Sequence, residues 1–411
     1  MIYDITAPQQ RKLNGEIRLP ASKSISNRAL IMHALSHSDH PIANIAHCDD
    51  TDVMVKALSS SDSAIDIGAA GTSMRFLTAY LANTPGDWTI TGSERMKQRP
   101  ISILVEALKN LGAQIDYTEK EGFPPLRIKG QPLQGGSIHL DGSVSSQYIS
   151  ALLMVAPTMA NGLTLTLDGK IISRPYIRMT LSMMEEFGIK AEWEENVIRI
   201  SHQNYAPIAY EVESDWSASS YWYQICALSE IGSEIRLPEL RNDSQQGDSA
   251  IAKMFEHFGV TTTYTPSGVT ITHTQENQGK LQLDLVNQPD LAQTFVVTCC
   301  LLDVPFEIIG LETLKIKETD RIVALKNECA KLGYHLQETD ASLSWVGGEK
   351  ASNQESPIAT YKDHRMAMAF APAAMRFPEL KIDDPLVVSK SYPLYWENLK
   401  SVGFSIKEGT V

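Results

Sequence analysis

EALKNLGAQIDY, residues 106–117, is an amphipathic run, then Gly112, then an alternation of apolar and polar residues. A helix that ends on a left-handed glycine and turns straight into a half-buried strand has this form, because glycine takes positive φ without a Cβ penalty. The same junction returns in SMMEEFGIKAEW (182–193), KMFEHFGVTTTY (253–264), NECAKLGYHLQE (327–338) and ENLKSVGFSIKE (397–408). The junction glycines Gly112, Gly188, Gly259, Gly333 and Gly403 follow one another at intervals of 76, 71, 74 and 70 residues. DDTDVMVKALSSSDSAIDIG (49–68) reads as a sixth copy that lacks the glycine. Units of ~70 residues are too long for the common solenoid repeats and suit a small α+β unit used several times. Six of them fill the 411-residue chain, three to a domain in two domains.

The composition belongs to a globular protein, with 43% hydrophobic and 21% charged residues. Net charge is −13. Nucleic acids and anionic membranes select basic faces, so neither is an expected partner. No apolar run approaches the ~18 residues of a membrane span. The opening MIYDITAPQQRKLNG has no apolar core of the kind a signal peptide needs. The five cysteines form no CxxC pair and none has zinc spacing to a histidine. They read as buried thiols in a reducing cytoplasm, and no metal or cofactor is expected.

Several polar clusters sit where helices begin. LPASKSISNRALIMHALS (19–36) brings Lys23, Ser24 and Arg28 to the start of a helical run, where free N–H groups and the helix dipole favour an anion. DIGAAGTSMRFLTAYLA (66–82) leads small residues, with Gly71 among them, into an apolar helix. RMKQRPI (95–101) sets Arg95, Lys97 and Arg99 within five positions. DGSVSSQYISALL (141–153) places Ser145, Ser146 and Gln147 before another apolar helix, and SRPYIRMTL (173–181) adds Ser173 and Tyr176. Each of these alone also reads as an ordinary capped helix start. LKIKETDR (314–321) concentrates Lys317, Glu318, Asp320 and Arg321. YKDHRMAMAFAPAA (361–374) presents Asp363, His364 and Arg365 and then drops into small apolar residues, so its charges gather at one helix end. VVSKSYP (387–393) carries Lys390.

In order and spacing, these segments resemble the 5-enolpyruvylshikimate 3-phosphate synthase family over residues 19 to 392. The resemblance implies an α+β fold of two similar domains, each of three βαβαββ-type units with helix N-termini facing an interdomain cleft. One domain would comprise residues 1–20 plus 213–411, the other 21–212, with the active site in the cleft. It implies transfer of an enolpyruvyl group from phosphoenolpyruvate to the 5-hydroxyl of shikimate 3-phosphate, in chorismate and aromatic amino acid biosynthesis. A cytoplasmic monomer that is a glyphosate target would be expected. By the resemblance, Lys23, Ser24, Arg28, Ser145, Ser146, Gln147, Ser173, Tyr176, Asp290 and Lys317 hold shikimate 3-phosphate. Lys23, Gly71, Arg95, Gln147, Arg321, Arg365 and Lys390 hold phosphoenolpyruvate. Asp290, in VNQPDLAQTF, would be the general base, Lys317 and Glu318 would handle the proton at C3, and Lys23 would touch both substrates. The two substrates together carry roughly −5 to −6, which suits a cleft lined by Lys23, Arg28, Arg95, Lys317, Arg321, Arg365 and Lys390.

Three positions depart from the family pattern: Ala69 where Asn is usual, Phe76 where Pro is usual, and Thr313 where Asn is usual. The sister family that uses UDP-N-acetylglucosamine carries a cysteine five residues before an Arg-Pro; here Glu94 stands in that place. A non-catalytic ligand-binding relative is the other alternative. Lys23, Asp290, Glu318 and Arg365 argue against it, since their loss would be its mark.

Overall fold

All five junction glycines have positive φ, at 104° for Gly112, 83° for Gly188, 76° for Gly259, 91° for Gly333 and 96° for Gly403. The computed structural model describes residues 1–348 and 356–409. At Gly112 the glycine N–H donates to the Lys109 carbonyl and the next N–H, of Ala113, donates to Leu108. The same pair of bonds closes the helices before Gly188, Gly333 and Gly403. Two carbonyls left over at each helix end are thereby satisfied and the chain is turned into the next strand. The copy without a glycine ends differently: after helix Asp49–Ser59, Ser60 is extended and strand Ala64–Asp66 follows a longer link.

The chain divides into two units, residues 21–212 and residues 1–20 with 213–411. In the first, strands Ala64–Asp66, Gly86–Thr91, Leu126–Gly130 and Gln114–Tyr117 lie side by side in that order. The first pair is parallel and the other two are antiparallel. Helices Gly71–Ala82 and Ser102–Asn110 connect them, so the order along the chain is βαβαββ. Strands Gly136–Asp141, Leu163–Asp168, Val197–Ile200 and Ala191–Glu194 repeat this arrangement around helices Ser146–Val155 and Arg174–Glu186. The third copy is reduced to a parallel pair, Ile42–Ala43 with Tyr210–Glu211.

The second unit has two complete four-stranded sheets. One joins Asn14–Glu16, Glu234–Pro238, Gly268–His273 and Val260–Thr265; the other joins Leu281–Asp284, Phe306–Ile309, Ser342–Trp345 and Gln337–Glu338. Its third copy is permuted. Strand Ile2–Thr6, from the start of the chain, pairs antiparallel with both Leu380–Asp383 and Ser405–Gly409. A parallel bridge from Ile358 to Ile382 stands in for the opening strand.

Each unit has its own apolar core. Helices Trp216–Leu228 and Ala292–Leu301 are buried on nearly every side, and neither carries a charged residue. A helix of that kind has nowhere to carry charge except its ends. Among the described residues, no helix is long and apolar enough to cross a membrane.

Candidate active site

In the unit of residues 1–20 and 213–411, charge converges on Arg321, the first residue of helix Arg321–Lys331. Its Nε donates to Asp363 Oδ2 at 2.8 Å, its Nη1 to Asp290 Oδ1 at 3.0 Å, and its Nη2 to Glu318 Oε2 at 3.0 Å. Asp290 also accepts from Arg365 Nη2 at 3.1 Å and stands 3.5 Å from Lys317 Nζ. Lys390 Nζ lies 2.9 Å from Glu318 Oε1. Arg321 is about 1% exposed, whereas Asp290, Glu318 and Lys317 are half-buried, so the cluster is dry at Arg321 and open to water on its other side. Burial pushes the Asp290 carboxyl up, but Arg365, Lys317 and Arg321 outweigh it and hold the group well below the usual carboxylate range. Burial also lowers the Lys317 ammonium, with Asp290 opposing it.

Local sequence explains how these groups are aimed. Asp320 caps helix Arg321–Lys331 by accepting from the Ile322 and Val323 N–H groups, which sets Arg321 on the first turn. Asp363 does the same for helix His364–Phe370 by accepting from the Arg365 N–H at 2.9 Å. Asp290 precedes the wholly buried helix Ala292–Leu301. Arg321 and Arg365 are of the wrong sign for the positive end of a helix dipole, so the carboxylates offset them and an incoming anion would do so further. The cations are thus partnered in this structure, four of them against Asp290, Glu318 and Asp363.

In the unit of residues 21–212, Lys23 opens helix Lys23–Ser36 and its Nζ pairs with Asp50 Oδ2 at 3.0 Å. Arg28 is 2% exposed. Its Nε donates to Thr180 Oγ1 at 2.7 Å, Nη1 to the Ser24 carbonyl at 2.9 Å, and Nη2 to Ser150 Oγ at 3.0 Å. All three acceptors are neutral, and burial pushes the guanidinium down to about 10. The Arg28 guanidinium also lies 5.2 Å from the centre of the Phe76 ring, and a buried cation whose hydrogen-bond acceptors are neutral attracts an anion. Ser145 caps helix Ser146–Val155, Ser146 is buried, and Gln147 Nε2 donates to Thr72 Oγ1 at 3.1 Å. Thr72 is the second residue of helix Gly71–Ala82, so Gln147 and Gly71 belong to adjoining helix starts. Ser173 is buried, with φ 52°, immediately before helix Arg174–Glu186. Tyr176 is half-buried on its first turn, near enough to Arg28 to act on its charge.

The two arginines of RMKQRPI stand differently in the fold. Arg95 is exposed, before the short turn Met96–Gln98, whereas Arg99 is buried at its end. The Arg99 guanidinium packs directly on Gly71, and its Nε, also buried, has no hydrogen-bond partner. Arg99 is therefore a cation packed on Gly71. RMKQRPI left the choice open, because the turn decides which of its basic residues points inward. Asp363 and Asp50 were also not singled out for roles. A cap signal, Asp before a helical run, marks Asp363; nothing local marks Asp50 as the partner of Lys23, 27 residues away.

Comparison with known proteins bears on the family and the fold. The family model described as EPSP synthase (3-phosphoshikimate 1-carboxyvinyltransferase) matches residues 7–61 and 55–399. A Bacteroides fragilis protein named 3-phosphoshikimate 1-carboxyvinyltransferase is 57% identical over 412 residues, covering all of both chains. A Vibrio cholerae protein of the same name is 35% identical over 94% of this chain and 96% of its own. The solved EPSP synthase of Acinetobacter baumannii shares the fold, with a TM-score of 0.79 at 20% identity over the full length of both. With a family model spanning nearly its whole length and a full-length relative at 57% identity, the chain belongs to the EPSP synthase family.

Proposed function

We propose that this protein transfers the enolpyruvyl group of phosphoenolpyruvate to the 5-hydroxyl of shikimate 3-phosphate and releases phosphate, in aromatic amino acid biosynthesis. The observation that carries the reading is Asp290, a carboxylate shared by Arg321, Arg365 and Lys317, with Glu318 held beside it by Arg321 and Lys390. It supplies a proton acceptor, a second carboxylate and four cations within one cluster. Arg321, Arg365 and Lys390 bind the phosphate and carboxylate of phosphoenolpyruvate, together with Arg99 and the backbone at Gly71. Lys23 and Gln147 reach both substrates. Ser24, Arg28, Ser145, Ser146, Ser173 and Tyr176 hold shikimate 3-phosphate.

The chemistry follows from the charges. The 5-hydroxyl adds to C2 of phosphoenolpyruvate and its proton passes to Asp290, while C3 takes a proton from the Lys317–Glu318 pair. The ketal then breaks its C2–O bond to phosphate, C3 gives a proton back, and phosphate leaves. Three cations make Asp290 a weak base without ligands. Substrate anions that draw on Arg321 and Arg365 weaken their hold, so binding raises the basicity of Asp290 when it is needed. Fixed cations around the transferring group supply the electrostatic stabilisation. The enzyme acts as a monomer in the cytoplasm.

The test is phosphate release from phosphoenolpyruvate, with shikimate 3-phosphate or UDP-N-acetylglucosamine as acceptor. Release with the first only is expected. Release with the second only would move the chain to the sister activity, and release with neither would support a non-catalytic relative.

A further inference from the structure

Helix Arg321–Lys331 has a second working end. Glu328, on its last turn, is 1% exposed. The Tyr361 hydroxyl donates to its Oε1 at 2.7 Å, the Ala359 N–H donates to its Oε2 at 2.9 Å, and Lys331 Nζ lies 2.6 Å from Oε2. Lys331 Nζ also donates to the Pro357 carbonyl at 2.8 Å. The end of the helix therefore grips residues 357–361, while its first residue, Arg321, grips Asp363. One rigid element holds both ends of a short strap.

The geometry of that strap is demanding. Seven residues of helix separate Arg321 from Glu328, a rise of ~10 Å, and four residues of chain from Ala359 to Asp363 reach at most ~14 Å. Within those four, Tyr361 and Lys362 both take left-handed φ, 54° and 56°, which L-residues adopt reluctantly. Two consecutive residues of this kind persist only where the surroundings impose them. The Tyr361 tie to Glu328 and the Asp363 N–H to Thr360 carbonyl bond close the turn on either side of Lys362. Asp363 then caps the helix that carries Arg365, and Arg365 reaches Asp290.

We infer that Glu328 is a positioning residue: by tying Ala359 and Tyr361 to the end of helix Arg321–Lys331, it sets where Asp363 and Arg365 stand against Arg321 and Asp290. This rests on the reading above that Arg321 and Arg365 bind phosphoenolpyruvate. Glu328 touches no substrate and acts through the strap alone. Its loss acts on one substrate's site, whereas a general loss of stability would lower the active fraction without changing either KM.

The experiment is steady-state kinetics of the full chain, varying each substrate in turn, on wild type, Glu328→Ala, Glu328→Gln, Tyr361→Phe and Arg365→Ala, with thermal melting as a check of folding. Glu328→Ala should raise the KM for phosphoenolpyruvate ~10-fold and lower kcat, with the KM for shikimate 3-phosphate within about twofold of wild type. Glu328→Gln, which keeps an acceptor oxygen, should recover part of the loss. Tyr361→Phe keeps the ring and removes one tie, and should raise the same KM about threefold. If Glu328→Ala does not fold, Tyr361→Phe decides alone. Folded variants whose KM for phosphoenolpyruvate is unchanged, while Arg365→Ala raises it, overturn the positioning role and leave the substrate assignment standing. An unchanged KM in Arg365→Ala overturns that assignment and this inference with it.

Discussion

The Arg99 guanidinium is packed on the Cα of Gly71: a Cβ built there would stand 2.5 Å from Nη1 and 2.8 Å from Nη2. Gly71→Ala must push the guanidinium aside. The displaced group is the end of a flexible side chain, so the fold should survive and the anion site should suffer. Arg99→Ala should raise the KM for phosphoenolpyruvate ~10- to 100-fold, the scale of a lost hydrogen bond to a charged group. Arg95→Ala, at an exposed position, should change it by about twofold or less. The reverse result would return the role to Arg95.

Glyphosate, an anion with a carboxylate and a phosphonate, should compete with phosphoenolpyruvate for the same cations. It is slightly longer, so it has less tolerance for a shifted Arg99 and an added methyl. Gly71→Ala should raise its inhibition constant more than it raises the KM for phosphoenolpyruvate. An inhibition series on both proteins checks this. A wild type that binds phosphoenolpyruvate normally but resists glyphosate would mean that Ala69 and Phe76 have already reshaped the pocket.

Asp290→Asn should lower kcat by ~10² or more while both substrates still bind. It should also change the response to acid. The folded pKa of Asp290 is depressed, so its contribution to stability is present above the unfolded value of ~3.9 and is lost as pH falls through the folded value. The variant should melt below wild type at neutral pH, and the gap should close in strong acid. Melting curves between pH 7 and the acid limit provide the measurement.

Asp248 titrates in the opposite sense. Burial, joined by the charge of Asp290, raises it to about 6. An acid raised on folding subtracts stability when ionised: the cost is full above about pH 6 and disappears as pH falls below the unfolded value of ~3.9. Asp248→Asn should therefore raise the Tm at pH 7.5, with the gain fading towards pH ~4. The Ser217 hydroxyl, 2.5 Å from Asp248 Oδ2, can still donate to the amide oxygen. A loss of Tm at every pH, acid included, would show that the hydrogen bonding of the Asp248 carboxyl outweighs the cost of its charge.

Two junction glycines separate local from tertiary cost. At Gly112 an added Cβ would have 3.6 Å to its nearest neighbour, so Gly112→Ala should cost only the left-handed penalty of ~1–2 kcal/mol. At Gly259 the same Cβ would fall 1.7 Å from the Gln275 carbonyl oxygen, which is backbone and cannot step aside. Gly259→Ala should cost several kcal/mol more, read as a larger drop in denaturation midpoint. Equal costs would mean that the Gly259 loop relaxes freely.

The repeat was legible because its signals are local. A glycine after an amphipathic run, apolar alternation beyond it, and Asp before a helical run at Asp320 and Asp363 each act within a few residues of chain. That sufficed to place the junctions, the α+β class and most of the charged residues at helix starts. Sequence alone could not show that strand Ile2–Thr6 completes a sheet with residues near the other end of the chain, since an edge is chosen by which strand is free to reach it. Nor could it choose Arg99 over Arg95, because a single short turn sets which side chain meets Gly71. Arg321 finds Asp290 and Asp363 across 31 and 42 residues, and Glu328 finds Tyr361 across 33. Pairings at that separation are decided by which helix ends packing brings together. The sequence supplied the charges and the helix starts that carry them; the tertiary structure decided which of them meet.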